Sequence, residues 1–276
     1  MNFHKMQGAA NDFVVVDGRE LAGVDWAALA ARVCDRRLGV GGDGILVLEE
    51  SQVEDFRMLY HNADGSEGEM CGNGIRCMAK FALDIGATSA RQLNWETGAG
   101  RVTTDVLEYG RGAARVRADM GPPRFAPADI PVKADGDDVR EVPFAVNGTE
   151  LSITCVSMGN PHAVTFVDSV AGFPLEQLGP EVEHHEAFPN RTNFEIVEVI
   201  DAGHLRMRVW ERGVGETQAC GTGACAVAVA GQLVRQTKPE VEIDLPGGRL
   251  TVAWRPGGNV LLTGPAETSF TGDFAQ

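Results

Sequence analysis

Cys71-Gly72-Asn73-Gly74 returns as Cys220-Gly221-Thr222-Gly223, 149 residues further along the chain. The same offset separates Asn11 from Asn160 and Asn62 from Glu211, and each of the latter pair lies nine residues before its cysteine. Gly100-Arg101-Val102-Thr103 matches Gly248-Arg249-Leu250-Thr251 at an offset of 148, and Gly121-Pro122 answers Gly264-Pro265 after further deletions. Several ordered matches at nearly one offset mean a duplicated domain. After the first cysteine, residues 75–83 carry apolar side chains at helical spacing, and residues 224–234 are almost wholly apolar. One buried helix per copy is therefore predicted. Around the first lie strand-like runs at 14–16, 44–48, 56–60, 101–107 and 114–118, and around the second at 241–245, 249–254 and 259–263. The expected class is α+β, with two pseudo-symmetric β-rich domains each wrapped around a central helix.

The domain limits follow from the offset and from composition. The first domain is expected over 1–122, carrying Cys71, with a tail from about 267–276 returning to it. The second is expected over 123–266, carrying Cys220 and including a linker at 123–149. Four prolines and an Asp135-Gly136-Asp137-Asp138 turn mark that linker.

Composition narrows the function. The 276 residues include 24 Lys and Arg against 39 Asp and Glu, a formal net charge of −15. Such acidity lacks the footprint of a nucleic-acid binder or of a protein resting on anionic membrane. No run reaches the 18 or so apolar residues of a membrane span, and Met1-Asn2-Phe3-His4-Lys5-Met6 does not read as a signal peptide. Six cysteines in a chain of this length then read as thiols of a cytoplasmic protein.

Both repeated cysteines stand before a Gly-x-Gly that opens a helix. Unpaired amides and the positive helix end at such a place stabilise a thiolate and can hold a carboxylate. Two equivalent thiols suit inversion of a stereocentre, where one group removes the α-proton and the other delivers a proton to the opposite face. Helix-end amides around the substrate carboxylate would support the carbanion. Only four lysines occur, Lys5, Lys80, Lys133 and Lys238, and none sits in a motif that argues for pyridoxal phosphate. No cofactor is expected.

These blocks resemble one family. Gly8-Ala9-Ala10-Asn11-Asp12-Phe13, Asn62-Ala63-Asp64-Gly65-Ser66, Met70 to Cys77, Gly159-Asn160-Pro161-His162, Arg191-Thr192-Asn193 and Glu211-Arg212-Gly213-Val214-Gly215-Glu216-Thr217-Gln218-Ala219-Cys220-Gly221-Thr222-Gly223 are similar to the diaminopimelate epimerases, in order and over essentially the whole chain. The resemblance implies pyridoxal-independent interconversion of LL- and meso-diaminopimelate, on the route to lysine and peptidoglycan, with the site in the cleft between two domains. It implies Cys71 and Cys220 as the acid–base pair and the amides of Gly72, Asn73, Gly221 and Thr222 as holders of the reacting carboxylate. Asn11, Asn62, Asn160 and Asn193, with Glu211 and Arg212, would read the amines and the distal carboxylate. His162 and Glu211 would tune the thiols. No metal, nucleic acid or membrane partner is implied, and a homodimer is a possible assembly. Two positions depart from the family's usual His-Gly-x-Gly-Asn-Asp-Phe: Gln7 and Ala10. Ala10 asks that the turn before Asn11 avoid positive φ. Some members carry Gln where this chain has Gly44, so no contact is assigned there.

Other readings compete. Cys34, Cys77, Cys155 and Cys225 read as small buried hydrophobes. Cys220-x4-Cys225 fits the upper end of zinc spacing, but Cys71-x5-Cys77 is too wide. Gly39-Val40-Gly41-Gly42-Asp43-Gly44 spells a dinucleotide motif, yet it leads into a strand and so reads as a turn. His184-His185-Glu186 reads as solvated surface. A proline racemase or hydroxyproline epimerase would typically carry His at position 73 and lack the block at 211–218, and a phenazine-type isomerase would lack both cysteines. A redox or metal-binding thiol module is the alternative from outside the enzymes. Two thiols that serve one α-carbon should join on mild oxidation. Peptide mapping of oxidised, inactive protein is expected to find Cys71 linked to Cys220 and activity restored by reduction; two free thiols in that inactive protein would count against the pairing.

Overall fold

The computed structural model describes residues 1–134 and 136–275, so Asp135 of the acidic turn and Gln276 of the tail lie outside the described residues. The chain divides into two compact units, Met1–Asp119 with Thr263–Gln276, and Met120–Leu262.

In the first unit β1 (Asn2–Gly8) and β2 (Asn11–Asp17) form a hairpin, followed by α1 (Trp26–Val33), β3 (Gly44–Glu49), β4 (Phe56–Asn62) and the short β5 (Glu67–Gly68). Then come α2 (Gly72–Asp84), β6 (Gln92–Thr97), β7 (Gly100–Tyr109) and β8 (Ala113–Asp119). The second unit runs β9 (Val142–Val146), β10 (Thr149–Ser157), β11 (Pro161–Phe166), α3 (Leu175–Glu183), β12 (Asn193–Asp201), β13 (His204–Glu211), β14 (Gly215–Thr217), α4 (Gly221–Val234), β15 (Glu240–Leu245) and β16 (Gly248–Ala253). The last strand, β17 (Leu261–Asp273), lies along β1 with Asn2 opposite Asp273.

Pairing repeats between the units. β1–β2, β3–β4 and β6–β7 are antiparallel, while β2–β3 and β4–β6 are parallel. The second unit pairs β10–β11, β12–β13 and β15–β16 antiparallel, and β11–β12 and β13–β15 parallel. Even the register is shared: Phe13 stands opposite Gly44, and 149 residues on His162 stands opposite Asn193. The duplication read from scattered glycines and asparagines is a duplication of topology.

Each unit surrounds one buried helix, as the apolar spacing predicted. α4 is apolar on all sides and buried from Gly221 to Gly231 apart from Thr222. α2 is buried from Gly72 to Ala82 although it carries Arg76 and Lys80, both at 0% exposure. A buried cation must be bonded. Arg76 donates to Gly72 O, Asn73 Oδ1 and Pro265 O, and Lys80 to Asp84, Thr268 and Arg111 O. Both helices begin at the first glycine after the cysteine, so Gly-x-Gly forms the first turn and the cysteine is the N-cap.

Two features went unread in the sequence. Each unit has a second, shorter helix between its parallel strands, α1 and α3. α1 buries Trp26, Leu29, Ala30 and Val33, and Asp25 caps it by accepting from Ala28 N. The proline-rich stretch after residue 122 is no loose tether. Ile130, Val139, Phe144 and Val146 enter the second unit's core, and Met120 N and Arg124 N bond to Val260 O and Ser157 O. Among the described residues no helix is long and apolar enough to cross a membrane.

The turn before Asn11 corrects an expectation. Ala9 and Ala10 have φ of 54° and 62°, although Ala10 was expected to avoid positive φ. A two-residue connection between antiparallel strands matches their twist only with left-handed central residues, so hairpin register overrides alanine's preference. Gln7, the other departure, supports the turn by accepting from Ala10 N while its Nε2 donates to Glu267. Ala10 is exposed, so Ala10→Gly should relieve the left-handed cost, of order 1–2 kcal/mol, less the entropy glycine loses, roughly 0.5–1 kcal/mol. Denaturant unfolding is expected to show a net gain of up to about 1 kcal/mol; a clear loss would contradict the turn geometry.

Candidate active site

β4 and β5 deliver the chain to Cys71, and β13 and β14 deliver it to Cys220. Each cysteine is extended, at φ −132° and −117°, and each Sγ accepts from the third amide of its helix, Gly74 N at 3.4 Å and Gly223 N at 3.3 Å. The amides of Gly72 and Asn73, and of Gly221 and Thr222, belong to the helix's first turn, whose N–H groups have no acceptor within the helix. Glycine avoids crowding at the third position. A Cβ on Gly74 would lie 3.3 Å from the Cys71 Cβ and 3.2 Å from Leu46, and one on Gly223 would lie 2.8 Å from Glu195 Oε1 and 3.3 Å from the Cys220 Sγ.

In the first unit Asn11, Cys71 and Asn73 form one cluster. Asn11 Oδ1 accepts from Asn73 Nδ2 at 3.2 Å and from the Cys71 thiol at 3.5 Å. Two residues that went unread in the sequence fix these amides. Asp43 accepts from Asn11 Nδ2 at 2.6 Å and is itself held by Arg36, which also forks Asp12. Arg76 holds Asn73 Oδ1, turning that side chain's Nδ2 toward Asn11. Asn62 sits at the end of β4, where Tyr60 donates to its Oδ1 at 2.6 Å and its Nδ2 donates to Ser66. Gly44, left unassigned, makes room for Tyr60: a Cβ there would fall 2.7 Å from the ring, and one on Gly68 would fall 2.3 Å from it.

In the second unit Cys220, Thr222, Asn160, His162 and Glu211 come together. Asn160 Nδ2 donates to Thr222 Oγ1 at 3.2 Å, and Thr222 Oγ1 lies 3.5 Å from Cys220 Sγ. His162 Nε2 bonds Asn160 Oδ1 at 3.0 Å, and its Nδ1 bonds Glu195 at 2.7 Å, with both side chains at 0% exposure. Glu195 was also unread; its signal was a carboxylate inside the apolar run Phe194-Glu195-Ile196-Val197. Asn193 spends its amide on backbone, donating to Pro161 O and accepting from Arg212 N, so it fixes the loop that carries Arg212. The Arg212 side chain is exposed and outside this cluster, reaching Asn190 O at 3.4 Å.

The surroundings of Cys220 oppose its ionisation. Burial, then Glu211 and Glu195, push Cys220 well above the ordinary thiol range, against the pull of Thr222 and Gly223 N–H. Burial also raises Glu211, which accepts hydrogen bonds from Thr217 and Cys220. Burial lifts the thiols of Cys34 to about 11 and of Cys77 and Cys155 to about 12, and these, with Cys225, are buried side chains as expected. Residues 39–43 close α1 and lead into β3 as a turn, with Val40 N and Gly41 N donating to Val33 O. Among the described residues no group of three or more His, Cys, Asp or Glu is placed to hold a metal ion.

Known proteins match this architecture. Over the full length, solved structures share the fold. They include a Bacillus anthracis phenazine biosynthesis protein of the PhzF family (18% identity, TM-score 0.73, covering 100% of this chain and 99% of that one). A probable proline racemase from Agrobacterium radiobacter K84 is another (14%, TM-score 0.70, covering 99% and 92%). At these identities the likeness speaks to the fold alone. Sequence relatives are nearer. The diaminopimelate epimerase of Moorella thermoacetica is 48% identical over 276 residues, covering 99% of each chain. That of Acetivibrio thermocellus is 46% identical over 274 residues, covering 99% of this chain and 98% of its own. The diaminopimelate epimerase family model matches residues 3–126 and 154–269. The chain belongs to the diaminopimelate epimerase family.

Proposed function

We propose that this chain epimerises LL-2,6-diaminopimelate to the meso isomer without pyridoxal phosphate, with Cys71 and Cys220 as the two acid–base groups. The observation that carries the proposal is the repeated station: a thiol at a helix N-cap, bonded to the third amide, with a polar side chain from a neighbouring hairpin turn beside it. Removing an α-proton leaves charge that spreads onto the adjacent carboxylate. The first-turn amides of α2 and α4 would bind that carboxylate and strengthen their hold as charge develops. One thiolate takes the proton while the other, as a thiol, returns one to the opposite face, and the roles reverse in the back reaction.

Substrate choice would rest on polar groups around the stations. Arginine forks carboxylates and glutamate pairs with ammonium groups. The exposed guanidinium of Arg212 is available for the distal carboxylate, its loop held by Asn193 and by Glu183, which accepts from Gly213 N. Asn62 and Asn160 present amides whose orientation neighbouring bonds already fix. Such a set suits an L-configured amino-acid centre distant from the reacting carbon better than it suits proline, which has neither a distal amine nor a distal carboxylate.

The test is proton NMR of LL-diaminopimelate in deuterium oxide with reduced protein, beside Cys71→Ala, Cys220→Ala and a proline control. The α-proton signal is expected to disappear as the meso isomer forms. Either substitution should lower the rate by at least about 10²–10⁴-fold, the usual contribution of a positioned proton-transfer group. Exchange on proline alone would reassign the substrate, and no exchange with folded, reduced protein would refute the activity.

A further inference from the structure

Glu195 is a buried carboxylate with no part in the two-base scheme. It sits in β12 at 0% exposure; Oε1 bonds His162 Nδ1 at 2.7 Å, and Oε2 is buried without a hydrogen-bond partner among the described residues. Leaving an ionised carboxylate at such a place is costly unless a partner neutralises it. The imidazole bonds it at Nδ1, and the other ring nitrogen faces an acceptor: Asn160 turns Nδ2 to Thr222 Oγ1 and Oδ1 to His162 Nε2, so Nε2 carries hydrogen.

That hydrogen sets every later bond. His162 Nε2 donates to Asn160 Oδ1 at 3.0 Å, which turns Asn160 Nδ2 to Thr222 Oγ1 at 3.2 Å. The Thr222 oxygen then accepts from Asn160 and lies 3.5 Å from Cys220 Sγ, within reach of its own hydrogen. We infer that Glu195 is a positioning residue of the epimerisation, ordering the relay His162–Asn160–Thr222 so that a hydroxyl donates to the Cys220 sulfur. This rests on Cys220 being one of the acid–base groups. It is separate from the direct charge effect of Glu195 on the sulfur, because it runs through three other side chains.

The groups that face Cys220 give the inference its sign. Glu211 from β13 and Glu195 from β12 both disfavour a thiolate there, and Gly223 N–H and Thr222 favour it. A bare charge effect of Glu195 would raise the thiolate share when the carboxylate is removed. Loss of the relay would lower it. The two mechanisms predict opposite signs for Glu195→Leu, which removes both the charge and the group that holds His162 Nδ1.

The experiment is the rate of carbamidomethylation of Cys220 by iodoacetamide at pH 8.5, without substrate, followed by mass spectrometry of the peptide that carries it. Glu195→Leu is expected to slow it about 3- to 10-fold, tenfold being one pK unit. Thr222→Val should slow it by a similar factor and Thr222→Ser should restore it. The double Glu195→Leu, Thr222→Val should be no slower than either single variant, as members of one chain are not additive. A faster or unchanged rate in Glu195→Leu overturns the proposal. Should that variant fail to fold, an unchanged or faster rate in Thr222→Val overturns it alone. Because alkylation is read without diaminopimelate, failure of the exchange assay refutes the activity without touching this result, and the reverse also holds.

Discussion

An amide N–H at the third position of a buried helix, pointing at a sulfur one turn earlier, is the constraint on which each unit is arranged. The bond calls for an extended cysteine, a glycine where a Cβ would crowd the cysteine and its neighbours, and strands that bring the chain to the helix axis. Both units meet all three demands with the same register and connection order. The wrapped helix follows from the same need. A helix end can act on a thiol only where water does not screen it, so the strands must enclose the first turn, and an enclosed helix must be apolar or must satisfy every charge it carries. α4 takes the first course. α2 takes the second, with Arg76 tied to the backbone of the very turn that holds Cys71.

The shared frame carries polar groups of opposite sense. Asn11 and Asn160 are equivalent by offset, and each bonds the equivalent residue of its helix, Asn73 or Thr222, at 3.2 Å. Asn11 accepts from Asn73 with its oxygen and Asn160 donates to Thr222 with its nitrogen, because what stands behind each amide differs. Asp43 is an acceptor and claims the Nδ2 of Asn11, whereas His162 is a donor and claims the Oδ1 of Asn160. An amide oxygen therefore lies 3.5 Å from the sulfur of Cys71, where a threonine hydroxyl lies 3.5 Å from that of Cys220. Duplication supplied two like thiols, and divergence behind the amides made their surroundings unlike.

Much of this was legible in residue order. Glycine, cysteine and asparagine at a fixed offset carry the duplication because each does something backbone-specific that substitution rarely preserves. Apolar periodicity located the wrapped helices for the same reason. What stayed hidden is of another kind. Asp43, Arg76 and Glu195 act by touching residues distant in sequence, and nothing local distinguishes Asp43 from any polar turn residue. Ala10 was misjudged because a local preference near 1–2 kcal/mol was weighed without the hairpin that opposes it. The stretch at 123–149 read as a linker within the second domain, and proline content could not tell that Ile130 and Phe144 enter its core.

Cys220 shows how these terms combine. Burial and two carboxylates move its proton affinity up, while helix amide and hydroxyl move it down, and the upward terms prevail. A thiol that never ionised could not take a proton from carbon, and one that ionised freely would be a weak base. The same burial that raises the thiol also strengthens each hydrogen bond that opposes it, because both act in a low dielectric. A water-filled site would relax both at once and leave an ordinary cysteine. Sites of this kind are therefore built from paired excesses, and a buried carboxylate such as Glu195 matters because the balance is struck between large terms.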